Sequence, residues 1–433
     1  MKKLISFIII AISIYSCSGK SNHEIDIISY TINMNMDTIS RKLDIKTEIE
    51  IHNTDTTGKI KFLFCDWIKI NKAQLNGNDI EFRRKNDTLI INTESYKSIN
   101  LSFDYALALD SFIQDKQGQV FALTRALKWC PFIYDDISEL RSNITVPKGY
   151  KVYTSGNLIK QIDNIETQQY KFHNKLNAGL PFVFAPENFY KETVKKQNGT
   201  NLKFYFHNPD TLLTNLIINE CLLSFEFCTK YIGKYKKPNL TYIELPGINY
   251  SQSLETFVLM GSDFINYFGI YPSIRFWPSH ETIHQWIGSG YFNTISKNKH
   301  NRWFIEESLT EYLRYTFIEM SHGKDSLDTE IKNSIDYYNK NVKDTEQDVS
   351  ISTNLPNDII YIVGPLVLHT IRLEIGDSKW QSFIRKLYAD NYGKVIDYNT
   401  FKNTLSLYAN PSVIEKMENS MNKKGIPKEY SGQ

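Results

Sequence analysis

From about Ile25 to Tyr190, apolar and polar residues alternate along the chain. The alternation is cleanest at Leu43, Ile45, Thr47, Ile49 and Ile51, with Asp44, Lys46, Glu48, Glu50 and His52 between them. A period of two sends one set of side chains to a buried face and the other to water, which predicts half-buried β-strands. Further strand-like runs lie at 61–64, 88–92, 100–105, 151–154 and 169–173, and Asn76-Gly77 marks a hairpin turn. After one more extended run at 202–207 the period lengthens to that of a helix. Leu213, Ile217, Cys221, Phe225 and Cys228 recur on one side of a segment that Asp210 can cap and that ends near Gly233. A second helix is predicted from Glu307 to about Glu319, and a third from Gly364-Pro365 to Gly376. The pattern thus predicts a multidomain β-then-α chain: an antiparallel sheet domain at 22–192, an α-rich unit at 200–415 and a frayed polar tail at 416–433.

Composition narrows the class. The 433 residues are 41% hydrophobic, enough for two or three cores, and 50 basic residues face 48 acidic ones. Such a balance offers no basic stripe for nucleic acid. The N-terminus opens with Lys2-Lys3, continues in an apolar run from Leu4 to Tyr15 and reaches Ser16-Cys17-Ser18-Gly19. That is the layout of a secretory signal, too short to span a bilayer, and its junction resembles a bacterial lipoprotein signal in which Cys17 would be acylated. Residues 1–17 are therefore expected to be a signal peptide, and the protein is expected in the cell envelope, held to a membrane by lipid on Cys17. The four remaining cysteines are too sparse for a disulfide scaffold, and Cys221 and Cys228, seven apart on one helix, are expected to be buried free thiols.

The chemistry concentrates at His280-Glu281-Thr282-Ile283-His284. Residues four apart lie on one helical face, so both imidazoles can reach one ion while Glu281 points at the ion's open position. A catalytic zinc takes three protein ligands and leaves the fourth corner to water. The acidic helix downstream offers Glu307 or Glu306 as the third ligand, with Glu307 preferred. One Zn2+ per chain would lower the pKa of a water and polarise a carbonyl, with Glu281 taking the proton. The bland alternative is a solvated helix whose His and Glu merely face water.

Beyond this motif, the likeness to a known family is spread widely. Trp129-Cys130-Pro131 with Asp135-Asp136, Val146-Pro147-Lys148-Gly149-Tyr150, Leu180-Pro181-Phe182-Val183-Phe184-Ala185 and Gly233-Lys234-Tyr235 accompany the histidine motif, Glu307-Ser308-Leu309-Thr310-Glu311-Tyr312 and Tyr361-Ile362-Val363-Gly364-Pro365. Together they resemble the M1 zinc peptidases, the family of aminopeptidase N and leukotriene A4 hydrolase. The resemblance implies a saddle-like β domain followed by a thermolysin-like (gluzincin) catalytic domain, a peptide substrate, and a tyrosine, Tyr361, that steadies the tetrahedral intermediate. The chain departs from the family in three ways. The gap from His284 to the carboxylate is 22 residues where the family has 18, implying a longer loop around 296–300. The family's Gly-x-Met-Glu-Asn stretch, whose glutamate holds the substrate amine, is replaced by Gly247-Ile248-Asn249-Tyr250-Ser251, so amine recognition falls to another carboxylate such as Glu255 or is absent. The large C-terminal helical domain of many relatives is also missing, which implies a more open cleft. The leading expectation is an M1-like aminopeptidase in a truncated lipoprotein form. The alternatives are a zinc endopeptidase of the same fold and a catalytically silent envelope binding protein.

Overall fold

The computed structural model describes residues 25–53, 57–93, 96–111, 113–114, 118–133, 138–177, 179–207, 211–268, 275–288, 302–351, 358–394 and 396–430. The signal segment with Cys17, Asp135-Asp136, Asp210 and the loop around 296–300 lie outside them.

The alternating half folds as its period predicts. Ile25–Asp37, Lys42–Asn53 and Ser98–Ala108 pair in antiparallel register inside an eight-stranded sheet. Leu43, Ile45, Thr47, Ile49 and Ile51 all face its core. One pairing breaks the antiparallel rule: Ile25–Asp37 runs parallel to Ser138–Pro147, because the chain returns to that edge only after a long excursion. The hairpin at Asn76-Gly77 has positive φ at both residues, the backbone a tight two-residue turn requires. A smaller sheet of Tyr150–Thr154, Phe182–Pro186, Phe121–Leu123 and Ile113–Gln114 forms the floor on which the second half sits. Trp129 is buried against Phe182 in that layer.

The second half contains more sheet than its sequence pattern suggests. Lys191–Gln197, Thr200–Phe206, Asn239–Leu245, Phe257–Gly261 and Gln252–Leu254 form a five-stranded mixed sheet. Phe257–Gly261 is buried at every position, and a strand covered on both faces has no alternation to read. The strand Lys191–Gln197 pairs into this sheet, so the second unit begins near Tyr190. Besides the short helix Ser262–Tyr267, the described helices are α1 (Thr211–Tyr231), α2 (Trp277–Ile283), α3 (Leu309–His322), α4 (Lys324–Asn341), α5 (Gly364–Ile375), α6 (Asp377–Asn391), α7 (Tyr398–Leu405) and α8 (Pro411–Met421). α1 buries Ile217, Cys221, Phe225 and Cys228, and both cysteines are free.

As far as Tyr430 the tail is not frayed as expected. α8 carries an apolar stripe of Val413, Ile414, Met417 and Met421, and Tyr430 stacks in the core against His369. An apolar period of 3.6 outweighs the charge between the stripe positions. A third apolar cluster joins the halves: Val120, Ala122, Val183 and Ala185 from the floor meet Ile243, Leu245, Phe257 and Leu259.

Candidate metal centre

α2 is short, and its sequence explains where it starts and stops. Pro278 fixes φ in its first turn, where a missing N–H leaves no helical bond unmade, and His284 closes the helix by donating its backbone N–H to the His280 carbonyl. The segment after it is tied down by Trp286, whose indole is buried between Phe225 and Tyr235 and donates to the Gly233 carbonyl at 2.7 Å. Gln285 holds the sheet edge, donating to Ser253 Oγ at 2.6 Å and to the Leu254 carbonyl at 2.9 Å. His280 and His284 are therefore presented from a fixed platform.

The third donor comes from a π-helical turn, Phe304–Ser308, that leads into α3. The two adjacent acids leave this turn in different directions. Glu306 turns back to Arg302, which donates to it at 2.8 Å inside the protein. Gly288, at φ 87°, lets the loop come against that glutamate, where a Cβ would stand 2.4 Å from Glu306 Cγ. Glu307 points the other way. Its Oε2 lies 3.4 Å from His280 Nε2 and 3.2 Å from His284 Nε2, and the two Nε2 atoms are 3.0 Å apart. Donors around a tetrahedral zinc at 2.0–2.1 Å stand roughly 3.3 Å from one another. The three edges match that triangle, and two imidazoles with one carboxylate are a catalytic-zinc donor set.

The imidazoles are held in the tautomer a metal needs. His284 Nδ1 donates to the Ile287 carbonyl at 3.0 Å, and His280 Nδ1 faces Glu311 Oε2 at 2.8 Å, leaving both Nε2 atoms toward the ion. Burial opposes charge on His280, but hydrogen bonds to Glu307 and Glu311 outweigh it and raise its pKa to about 10. Burial likewise opposes ionisation of Glu307, yet the two histidines hold it well below the usual carboxylate range. Glu281 is buried, and burial raises its carboxyl above the ordinary value. Tyr361 sits on a second π-helical turn, Ile359–Val363, and donates to Glu307 Oε2 at 3.0 Å. Tyr361 is 36% exposed, and partial loss of water together with the Glu307 carboxylate holds its hydroxyl above the ordinary value, so it stays a proton donor. The two π turns are clamped together: Ser308 Oγ donates to the Ile360 carbonyl at 2.7 Å, and a Cβ on Gly364 would stand 2.1 Å from that hydroxyl.

Glu255 does not join this group. It is 1% exposed and accepts from Lys237 Nζ at 2.6 Å, so its charge is already matched inside the protein. The neutralising lysine is eighteen residues upstream, a partnership no local pattern reveals. Sequence reading also missed Glu311 and Arg314 behind His280; the available signal was Glu311 standing four residues after Glu307, on the same helical face.

Residues 278–423 match the model of the peptidase family M1 domain. That segment, with the histidine motif at its start, is similar to an M1 peptidase domain. The overall fold of the chain is similar to that of an M1 zinc metallopeptidase from Deinococcus radiodurans, with a TM-score of 0.73 at 12% identity over 94% of this chain and 96% of that one. A mutant of that protein bound to a Tyr-Ser-Ala substrate is similar at a TM-score of 0.71 and 12% identity, over 94% of this chain and 96% of that one. A two-domain M1 zinc metallopeptidase mutant bound to L-arginine gives 0.72 and 12% over the same shares. No curated protein matches the chain. The matched M1 segment begins at Pro278 and contains the whole donor triangle with Tyr361.

Proposed function

We propose that this protein is a zinc-dependent peptidase that hydrolyses peptide bonds at His280, His284 and Glu307. One observation carries the reading: three donors from α2 and the turn before α3 form a triangle of zinc dimensions beside a buried acid, Glu281. Zinc held there supplies Lewis-acid polarisation of a carbonyl and acidifies a water. Glu281 takes the proton of the attacking water, and its raised pKa suits a group that must accept a proton and pass it on. Tyr361 donates to the oxygen that gains charge, releasing its bond to Glu307 to do so.

Amino-end trimming follows from the family resemblance and from the short peptide bound by the Deinococcus relative. The Glu255–Lys237 pair favours a second reading, in which no free amine is required, because the carboxylate that could receive an ammonium already holds one. Zinc content by mass spectrometry and a panel of fluorogenic peptides, free and N-acetylated, run on wild type and Glu281→Gln, test both. Zinc with turnover abolished in Glu281→Gln supports the peptidase; cleavage of acetylated peptides at the rate of free ones selects the second reading. Metal without turnover in either protein favours a silent binding role. The proposal extends to place: the signal-like residues 1–17 support an envelope protein anchored through lipid on Cys17, which loss of membrane association in Cys17→Ala would support.

A further inference from the structure

Glu307 on the π turn and Glu311 in the first turn of α3 stand four residues apart, and both carboxylates reach the same imidazole. They grip the same imidazole from opposite sides: Glu307 Oε2 lies 3.4 Å from His280 Nε2, and Glu311 Oε2 lies 2.8 Å from His280 Nδ1. Glu311 is itself held on both oxygens. Arg314 Nε donates to Oε2 at 2.9 Å and Arg314 Nη2 donates to Oε1, while the same Nη2 reaches Glu330 Oε1 on α4 at 2.7 Å. All three side chains are buried. His284 is held differently, by a main-chain carbonyl, with Thr310 Oγ1 a further 3.3 Å neighbour.

We propose, on the zinc reading above, that Glu311 is the positioning residue of the metal centre, fixing the tautomer and direction of His280, and that Arg314 and Glu330 lock it in place. Two carboxylates around one guanidinium leave one net negative charge behind the imidazole, which makes its far nitrogen a stronger donor. The lock also ties α4, which carries no ligand, to the metal centre.

Zinc dissociation constants, measured by competition with a chromogenic chelator on full-length protein, test this. Glu311→Gln keeps the shape and an acceptor but loses the charge, and is expected to weaken zinc about 10-fold; Glu311→Ala is expected to weaken it about 100-fold. At saturating zinc, kcat falls while KM stays within about twofold, because Glu311 acts through His280 and not on substrate. Thr310→Val, which leaves the Ile287 carbonyl on His284, is expected to hold zinc within about threefold of wild type. Should Glu311→Ala fail to fold, the isosteric Gln variant decides, its metal-free melting temperature serving as the folding control. Wild-type affinity in the Gln variant overturns the inference alone, and so does an equal loss in Thr310→Val. Wild type that takes up no zinc overturns the peptidase reading and this inference together.

Discussion

The two halves of the molecule treat buried charge in opposite ways. Among the described residues of the sheet domain, every buried polar side chain is uncharged: Thr47, Ser142, Thr124 and Asn174 are typical. The second half buries Glu220, Glu244, Glu255, Glu281, Arg302, Glu306, Glu311, Arg314, Glu330 and Arg372. Burying a charge is unfavourable unless it is paired, so a fold accepts it in quantity only where it serves some purpose. The difference separates a scaffold, stabilised by apolar area, from a reactive region, organised by electrostatics.

The contrast breaks first at Glu281. Glu281→Gln is expected to lower kcat by about 10²–10⁴-fold with zinc content and melting temperature close to wild type; an equal fall in stability would mean the acid is structural. Phe103, buried in the sheet domain beside Phe62, tests the other side. Phe103→Ala is expected to lose about 3–5 kcal/mol in urea unfolding while kcat of the folded fraction is unchanged.

Glu220 sharpens the comparison through pH. Burial raises its pKa from 4.5 to about 7, against a smaller opposing pull from Arg275. A raised acid favours the folded state only when protonated, so its contribution turns unfavourable as pH climbs from 4.5 and is fully unfavourable above 7. Glu220→Gln is therefore expected to match wild type near pH 4.5 and to gain stability with rising pH, by on the order of 3 kcal/mol at most at about pH 8. A stability difference that does not change with pH would refute this. Gly364→Ala, which must push against Ser308, is expected to destabilise by about 1–3 kcal/mol and to lower kcat by separating the turns that carry Glu307 and Tyr361. The smallest effect belongs to the surface. Lys416, paired with the partly exposed Glu374 and Glu429, is expected to change stability by no more than about 1 kcal/mol when replaced by alanine.

What the sequence disclosed follows the same divide. Alternation at Leu43 to Ile51 reads directly as a sheet because each strand there has one dry and one wet face. Phe257–Gly261 carries no such pattern, being dry on both faces, and of its sheet only the run at 202–207 was read. At the metal centre the paired histidines were legible because α-helical spacing is fixed. Glu307 was preferred over Glu306 through the family resemblance and not through spacing, since no residue spacing announces the π turn that carries both. Arg302, four residues before Glu306, was the local hint that this acid was already engaged. Glu255 failed as an amine binder for a non-local reason, the fold delivering Lys237 to it.

The paired π turns have a consequence for how such a chain tolerates change. Each holds one residue more than an ordinary helical turn, so dropping a single position ahead of Leu309 or Gly364 would let the helix tighten and rotate what precedes it by about 100°. Conservative swaps at neighbouring sites leave that count intact, whereas one lost codon swings Glu307 or Tyr361 out of reach of its neighbours. In these two short stretches, length itself is under constraint.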